Sequence, residues 1–569
     1  MFLPTTQKEA LALGWKRLDV ILVTGDAYID SPYIGVAMIG KVLVNNGFRV
    51  GIIGQPDISC GRDITRLGDP ELFWGVTAGC MDSMVANYTA AKKRRKSDDL
   101  TPGGRNTKRP DRAVIVYTNL IRQYSKTKKP VVLGGIEASL RRISHYDFWT
   151  NRVRRSVLFD AKADILVYGM GEKAIVEIAN RMKAGRPVTG IRGTCHAAKK
   201  IPEGYIPLPS HQTVAADKEA FAAMFKTFYA NTDPIRAKGL YQLQDTRYLL
   251  VHPPQPPLSS EELDHVHGLD YERNAHPSYA GKGDIRALDT IRFSLTTHRG
   301  CYGECSFCAI TAHQGRLVTS RSEASILEEA EKIAALFGFK GIITDIGGPT
   351  ANMYGFECDK KQKKGACGHR HCLTPEPCRH LPVNHLPQIR LLKKIEQING
   401  VKKVFVSSGI RHDLVLADKK YGRFYLETIC RNHVSGQLKT APEHIDPYVL
   451  ELMGKPQIDA FEKFVSLFKN INREIDKKQY LTCYFIAAHP GCTMEHMKDL
   501  KRFASRVLGF TPEQVQIFTP APSTVSTLMY HTGKTLDGRT VFVEKDVKKK
   551  EAQKFAVTGR GKIRKRYLP

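Results

Sequence analysis

The stretch Thr296-Thr-His-Arg-Gly-Cys301-Tyr-Gly-Glu-Cys305-Ser-Phe307-Cys308-Ala-Ile310 carries three cysteines spaced C-x3-C-x2-C. Thiolates packed this tightly suit an iron–sulfur cluster, whose ligands are usually cysteine sulfurs. A cubane has four iron corners, so three ligands leave one iron open. An open metal position binds and activates another molecule, as an open zinc site does. Half of a zinc site and a chance grouping are the plainer readings of the same spacing. Phe307, directly before the third cysteine, belongs to the pattern as well.

With that aromatic included, the stretch resembles the motif C-x3-C-x-aromatic-C of the radical S-adenosylmethionine (radical SAM) superfamily. The resemblance implies a 4Fe-4S cluster on Cys301, Cys305 and Cys308, with Phe307 beside the cofactor. It implies that the amino and carboxylate groups of SAM chelate the open iron. It also implies that an electron from the cluster cleaves SAM to a 5′-deoxyadenosyl radical.

Outward from the cysteines, apolar β-branched runs predict six strands: Ile291–Leu295, Gly341–Asp345, Lys403–Ser407, Val434–Leu438, Tyr480–Ala487 and Gln514–Phe518. Helical spacing fills the gaps, as in Ser325–Phe337, Leu391–Ile398 and Phe461–Asn470. Ser325 and Glu328 have capping-box spacing. Alternating strands and helices predict a partial (β/α)6 barrel, in which chemistry lies at the C-terminal ends of strands. The strand-end loops supply the candidates. Gly347, Gly348 and Pro349 resemble the superfamily's GGE motif, which contacts the methionine amino group, with Pro349 where the glutamate is expected. Ser407, Ser408 and Arg411 offer hydroxyls and a cation, and Arg411 suits a paired contact with a carboxylate. Glu443 and His444 are the candidate catalytic pair, able to handle protons. The His489 loop resembles the one that stacks on adenine.

The N-terminal part reads as a doubly wound α/β domain. Strands are expected at Asp19–Thr24, Arg49–Gly54, Ala113–Tyr117, Pro130–Gly135 and Ala163–Tyr168, with a helix at Gly35–Asn45. The loops Gly134–Gly135 and Gly169–Glu172 resemble those of cobalamin-binding domains, but the ligand motif D-x-H-x-x-G is absent. The expectation is a cobalamin-type fold without a corrin, its space filled by Tyr146, Phe148 and Trp149, shaping the substrate entrance. Residues 92–112, polar and rich in Gly and Pro, read as a mobile loop. The expected division is 1–205, a linker at 206–288, the barrel at 289–535, and a basic, disordered tail at 536–569.

A second cysteine group, Cys358, Cys367, Cys372 and Cys378, lies within a Cys-rich insertion at 356–382, with His369, His371 and His380 nearby. Such a loop has no core of its own, and a bound metal would order it. Zinc and an auxiliary iron–sulfur cluster both suit four thiolates, though the spacings x8, x4 and x5 match neither common signature, and a surface cysteine loop without metal is the plainer reading.

The chain has 569 residues and 13 cysteines, seven of them in these two groups, which points to a reducing, cytoplasmic setting rather than disulfides. No apolar run suits a membrane span, and the first residues do not resemble a signal peptide. Lys and Arg number 86 against 57 Asp and Glu, a net charge of +29. The excess is concentrated in Lys92–Lys96, in Arg141, Arg142, Arg152, Arg154 and Arg155, and in Lys545–Arg566. Such charge favours polyanions, RNA among them.

The stretches THRGCYGECSFCAITAHQGR, GGPTANMYG, GQLKTAPEH and GGIEASLRRISHYDFW together resemble the YgiQ-like radical SAM proteins over nearly the whole chain. That resemblance implies an enzyme using SAM and drawing electrons from a flavodoxin or ferredoxin. It does not imply the substrate. RNA modification by methyl or methylthio transfer leads, followed by a peptide or small metabolite. A cobalamin-dependent methyltransferase is the alternative within the enzyme class. A non-catalytic metal-binding RNA or assembly factor is the alternative outside it.

Overall fold

The apolar run Val20–Thr24 is buried at every residue and lies one strand in from the edge of a sheet, in its parallel part. A computed structural model describes residues 1–368 and 370–559; His369 and residues 560–569 of the expected tail lie outside it. Val20–Thr24 pairs in parallel with Val50–Gly54 on one side and with Phe73–Thr77 on the other. Val131–Gly134 and then Ile165–Val167 continue the parallel series. In chain order these five strands lie 2-1-3-4-5. The topological switch falls between the first and third, where open α/β sheets bind ligands. Both faces are buried, so the strands read as continuous apolar runs rather than alternating ones.

Three expectations for this half are corrected. Ala113–Tyr117 is not a strand but the start of a helix, Ala113–Tyr124. Its buried positions, Ala113, Val114, Tyr117, Thr118, Leu120 and Ile121, have helical spacing that a five-residue window does not display. Contacts distant in sequence also satisfy its first N–H groups: Ala113 N donates to Ser83 Oγ (3.1 Å) and Val114 N to Glu137 Oε1 (3.4 Å). Residues 92–112 are not loose. Arg109 is fully buried and pairs with Asp26 (2.7 Å) and Asp98 (3.0 Å), which ties the segment to the end of the first strand. The residues expected as a linker add strands to the same sheet, at Ile206–Leu208, Leu240–Gln244 and Arg247–Val251, which makes nine with Thr194–Ala198.

The second half builds six parallel strand positions. Ser294–Thr296 pairs with Asp345–Gly347, and Ile342–Ile343, the other part of that same broken strand, pairs with Lys403–Val404. A bridge from Ile410 to Thr440 leads to Gln437–Glu443, then Tyr480–Ala487 and Val515–Ile517. The helix expected to begin at Ser325 spans Glu323–Ala334, and its cap is Ser322, which accepts from Ser325 N. Ser325 is therefore inside the helix and not its cap. Part of the expected disordered tail is folded: Val547–Thr558 is a helix with Lys550, Gln553 and Val557 buried. Gln553 Oε1 accepts from Ala488 N (2.9 Å), and Lys550 Nζ donates to the Tyr530 hydroxyl (2.7 Å). Among the described residues no helix is long and apolar enough to cross a membrane.

Candidate active site

The cysteine loop is closed at its base. His298–Arg299 pairs antiparallel with Thr319–Ser320, and Thr297 N donates to Gly347 O (2.7 Å). Gly300 has φ +88°, and a Cβ there would collide with the Leu317 carbonyl oxygen, so this turn requires glycine. Gly303 has a different reason. A Cβ there would lie 3.3 Å from Cys301 Sγ, 3.5 Å from Cys305 Sγ and 2.7 Å from Arg411 Nη1. Two of the three sulfurs thus flank one point with a guanidinium beside them. Cys308 N donates to Cys305 O (3.0 Å), and the chain then enters the helix Ala309–Gln314. Burial, with Cys305 next, pushes the Cys301 thiol above its usual range, and the same two causes push Cys308 up to about 12. Coordination to a metal would be what deprotonates them.

The strand-end loops gather around these sulfurs. Arg411 is spent on Asp413, through Nε to Oδ1 (2.9 Å) and Nη2 to Oδ2 (2.6 Å). Its remaining Nη1 points to Cys305 Sγ at 3.8 Å. The free carboxylate clamp expected of Arg411 is therefore already occupied by its own neighbour. Asn352 joins two loops: its Oδ1 accepts from Arg411 N (2.8 Å) and its Nδ2 donates to Arg411 O (3.0 Å). Asp345 shapes the next turn, accepting from Ser407 N (2.8 Å), Ser408 N (2.9 Å) and the Ser408 hydroxyl. Gly348 packs on His298, whose Nε2 would sit 2.6 Å from an added Cβ. Thr350 Oγ1 lies 3.8 Å from Cys301 Sγ. Asp345, Asn352 and Asp413 were not singled out from sequence; the only signal was their position within one to five residues of those that were.

Glu443 and His444 part company. Glu443 ends the fourth strand at φ +69°, a conformation a non-glycine residue adopts only under constraint. Burial pushes its carboxyl up to about 7, against the opposing charges of Lys455 and Arg411. His444 is fully buried. Its Nδ1 accepts from Asp446 N (3.0 Å) and its Nε2 meets Cys492 Sγ (3.5 Å). It braces the wall and has no ring nitrogen left for a substrate, which corrects its reading as a proton carrier. His489 is likewise fully bonded, to Ser526 Oγ (2.6 Å) and Pro490 O (2.8 Å), with its ring edge toward Phe307.

A cavity of about 510 Å³ opens between the two halves. One wall is the switch point of the sheet: Asp26, Gly79, Gly134–Ile136 and Gly169–Glu172. The other is the barrel mouth: Thr296, His298, Gly347–Pro349 and Ser408. His313, on the helix after Cys308, closes the seam. Its Nδ1 meets Ser139 Oγ (3.1 Å), which also accepts from Gly169 N (3.0 Å). Glu172 Oε2, His298 Nε2 and both ring nitrogens of His267 line or border this space without a hydrogen-bond partner. A smaller pocket, about 120 Å³, adjoins Cys305 and Cys308. Tyr146, Phe148 and Trp149 do not fill the large cavity. Tyr146 stacks on His531 (4.5 Å) and Phe148 packs against Tyr530 and Trp149.

Cys358, Cys372 and Cys378 pack against one small apolar group, Tyr302, Phe356, Leu373 and Leu381, which Cys301 also touches. Among the described residues, no three Cys, His, Asp or Glu side chains close on a point as the ligands of a single ion do.

Comparison with known proteins agrees with this geometry. The Radical SAM N-terminal family matches residues 2–294 and the Radical SAM superfamily matches residues 295–504. A UPF0313 protein of Fusobacterium nucleatum is 55% identical over 566 residues, 99% of this chain and 100% of that one. One from Thermotoga maritima is 51% identical over 570 residues, the full length of both. Among solved structures, the radical SAM methyltransferase TsrM of Kitasatospora setae, with cobalamin and a 4Fe-4S cluster bound, aligns with a TM-score of 0.50. It is 16% identical, over 88% of this chain and 73% of that one, a likeness of fold.

Proposed function

The chain belongs to the UPF0313, or YgiQ-like, family of radical SAM enzymes, and from that premise we propose that it abstracts hydrogen from a small, uncharged reacting group held in the cavity between its two halves. Cys301, Cys305 and Cys308 would hold the cluster, and the Gly347–Pro349 and Ser407–Ser408 loops would seat SAM. Together those cofactors supply, when bound, a radical able to break an unactivated C–H bond. The protein binds, orients and shields it. Glu443 lies near Cys308 rather than in the wall of that cavity, and its perturbed carboxyl would serve proton exchange near neutral pH only for a group that reaches the cluster side of the site. The electron would come from a flavodoxin or ferredoxin.

The observation that carries this reading is the cavity itself, with the sheet's switch point as one wall and the barrel mouth as the other. Among the described residues that line the cavity, Arg299 is the one Lys or Arg, and it is paired with Glu172 (2.6 Å), which favours a small molecule or peptide over RNA. One of the three basic runs also loses weight as an RNA surface, while Lys92–Lys96 stays exposed. Arg141 and Arg142 are buried, the first against Asp82 and the second over the rings of Tyr168 and Phe228 (4.5 Å each). Arg154 and Arg155 pair with Asp160. RNA modification remains testable in the same experiment. The reconstituted enzyme is given SAM and deuterium-labelled cell extract, separated into small-molecule, peptide and RNA fractions. Deuterium is expected in 5′-deoxyadenosine from the small-molecule or peptide fraction. Deuterium arriving only from the RNA fraction would overturn the proposal.

A second reading, a corrinoid methyl carrier in the same cavity, is favoured by one observation. The space between Gly134–Gly135 and Gly169–Glu172 is open, and the aromatic residues expected to fill it lie elsewhere. Anaerobic purification with hydroxocobalamin tests it, with stoichiometric corrin retained through gel filtration as the supporting result.

A further inference from the structure

We propose that Cys358, Cys372 and Cys378, with Cys367 as the fourth ligand, hold a second iron–sulfur cluster adjoining the site at Cys301–Cys308. The four thiols are free and partly exposed, unlike Cys195, Cys430, Cys483 and Cys492, which are buried core residues. The insertion that carries them has one short helix, Asp359–Lys364, with four lysines among six residues. Nothing in that composition explains four cysteines by packing.

The fold nevertheless brings three of them together. Cys358 and Cys372 are far apart in the chain, yet with Cys378 they border the same apolar group as Cys301. Cys378 N donates to Cys372 O (2.8 Å), which sets their separation. Cys367 follows Ala366, whose N donates to Asp233 Oδ2 (2.8 Å) and whose carbonyl accepts from Arg236 Nη1 (3.3 Å). The loop is thus moored to the N-terminal half immediately before the fourth thiol. Lys361 is buried beside the set, its Nζ 4.9 Å from the centre of the Tyr302 ring and 3.7 Å from Glu357. Its charge acts on the Cys372 thiol, and a buried ammonium there compensates part of the negative charge that a thiolate-bound cluster carries.

Four thiolates suit a zinc ion as well as a cluster, and the sulfide content measured below separates the two. Tyr302, next in the chain to Cys301, has its ring in the apolar group that the second set surrounds.

Metal and sulfide analysis of the full-length protein after anaerobic reconstitution tests the proposal without any need for SAM cleavage. Wild type is expected to bind about eight irons, and C301A/C305A/C308A about four, with matching sulfide and a reduced-cluster EPR signal. C358A/C372A/C378A should lose the other half. If that second variant does not fold, judged by circular dichroism and gel filtration, the first still decides. C301A/C305A/C308A with no iron, or with one zinc and no sulfide, would overturn the second cluster. Failure of SAM cleavage with eight irons bound would instead count against the proposed function and leave this inference standing.

Discussion

The two cysteine groups meet at one apolar patch but are held in opposite ways. Cys301, Cys305 and Cys308 sit on a loop pinned at its base by a strand pair, fitted at Gly300 so that only glycine is accommodated, and faced by Arg411 locked on Asp413. Cys358, Cys372 and Cys378 have a shared apolar group, one backbone hydrogen bond between them and lysine-rich chain. The first arrangement is preorganised by the fold, as sites that do chemistry need to be. The second is anchored through Ala366 to Asp233 and Arg236, and a bound metal would add to that order.

The largest expected effect separates the two groups by activity. Replacing Cys301, Cys305 or Cys308 by Ala should lower 5′-deoxyadenosine formation by about a thousandfold or more, because the chemistry belongs to the cofactor they hold. Replacing Cys372 should lower it far less. Equal losses would erase the distinction.

Next is the support behind the first group. Asp413→Ala leaves Arg411 buried and unpaired, and breaking a buried pair in this way costs about 3–5 kcal/mol. Denaturant unfolding of the metal-free protein reads this directly. Asp413→Asn, which keeps part of the hydrogen bonding, should lose less.

A third contrast uses metal removal. If 358–378 holds a cluster as proposed, chelation should raise its proteolysis more than that of 298–320, whose loop is pinned by a strand pair. Cleavage within 298–320 at the same rate would contradict the preorganised loop.

The smallest effect concerns the anchor at the end of the second loop. Asp418 accepts from His385 Nδ1 (2.9 Å), His385 N (2.8 Å) and Tyr421 N (2.8 Å). Burial alone would raise this carboxyl, but those bonds outweigh it and hold it at about 2, below its ordinary 3.8. A depressed carboxylate pKa stabilises the fold above the ordinary value, and the contribution is lost as pH falls through the folded one. Protection of amides near His385 should therefore decline between about pH 4 and pH 2. Asp418→Asn should remove that pH dependence.

Legibility from sequence followed the range of the forces involved. The strands at 20–24, 50–54 and 131–134 announced themselves because burial on both faces demands apolar, β-branched runs, and 480–487 did so by its length, its burial alternating along the strand. Ala113–Tyr124 did not, because its first five residues look like a strand and its N-terminus is satisfied by Ser83 and Glu137. The strands between 206 and 251 were hidden by being short, at the edge of the sheet and set between Pro-rich segments. In the site, the cysteines and glycine turns were visible as spacing. The diversion of Arg411 to Asp413 and the loss of His444 to Cys492 depend on side-chain contacts that no spacing encodes. The same holds for Tyr146, Phe148 and Trp149, bulky residues near a glycine turn in sequence that pack against the C-terminal segment in space.

The central claim, that Cys301, Cys305 and Cys308 make this a SAM-cleaving enzyme, is tested most directly by anaerobic incubation of reconstituted protein with SAM and dithionite, followed by quantification of 5′-deoxyadenosine. Wild type and C372A should form 5′-deoxyadenosine, and C305A none above background. Fully loaded wild-type protein that yields none with dithionite or with a reduced flavodoxin would contradict it.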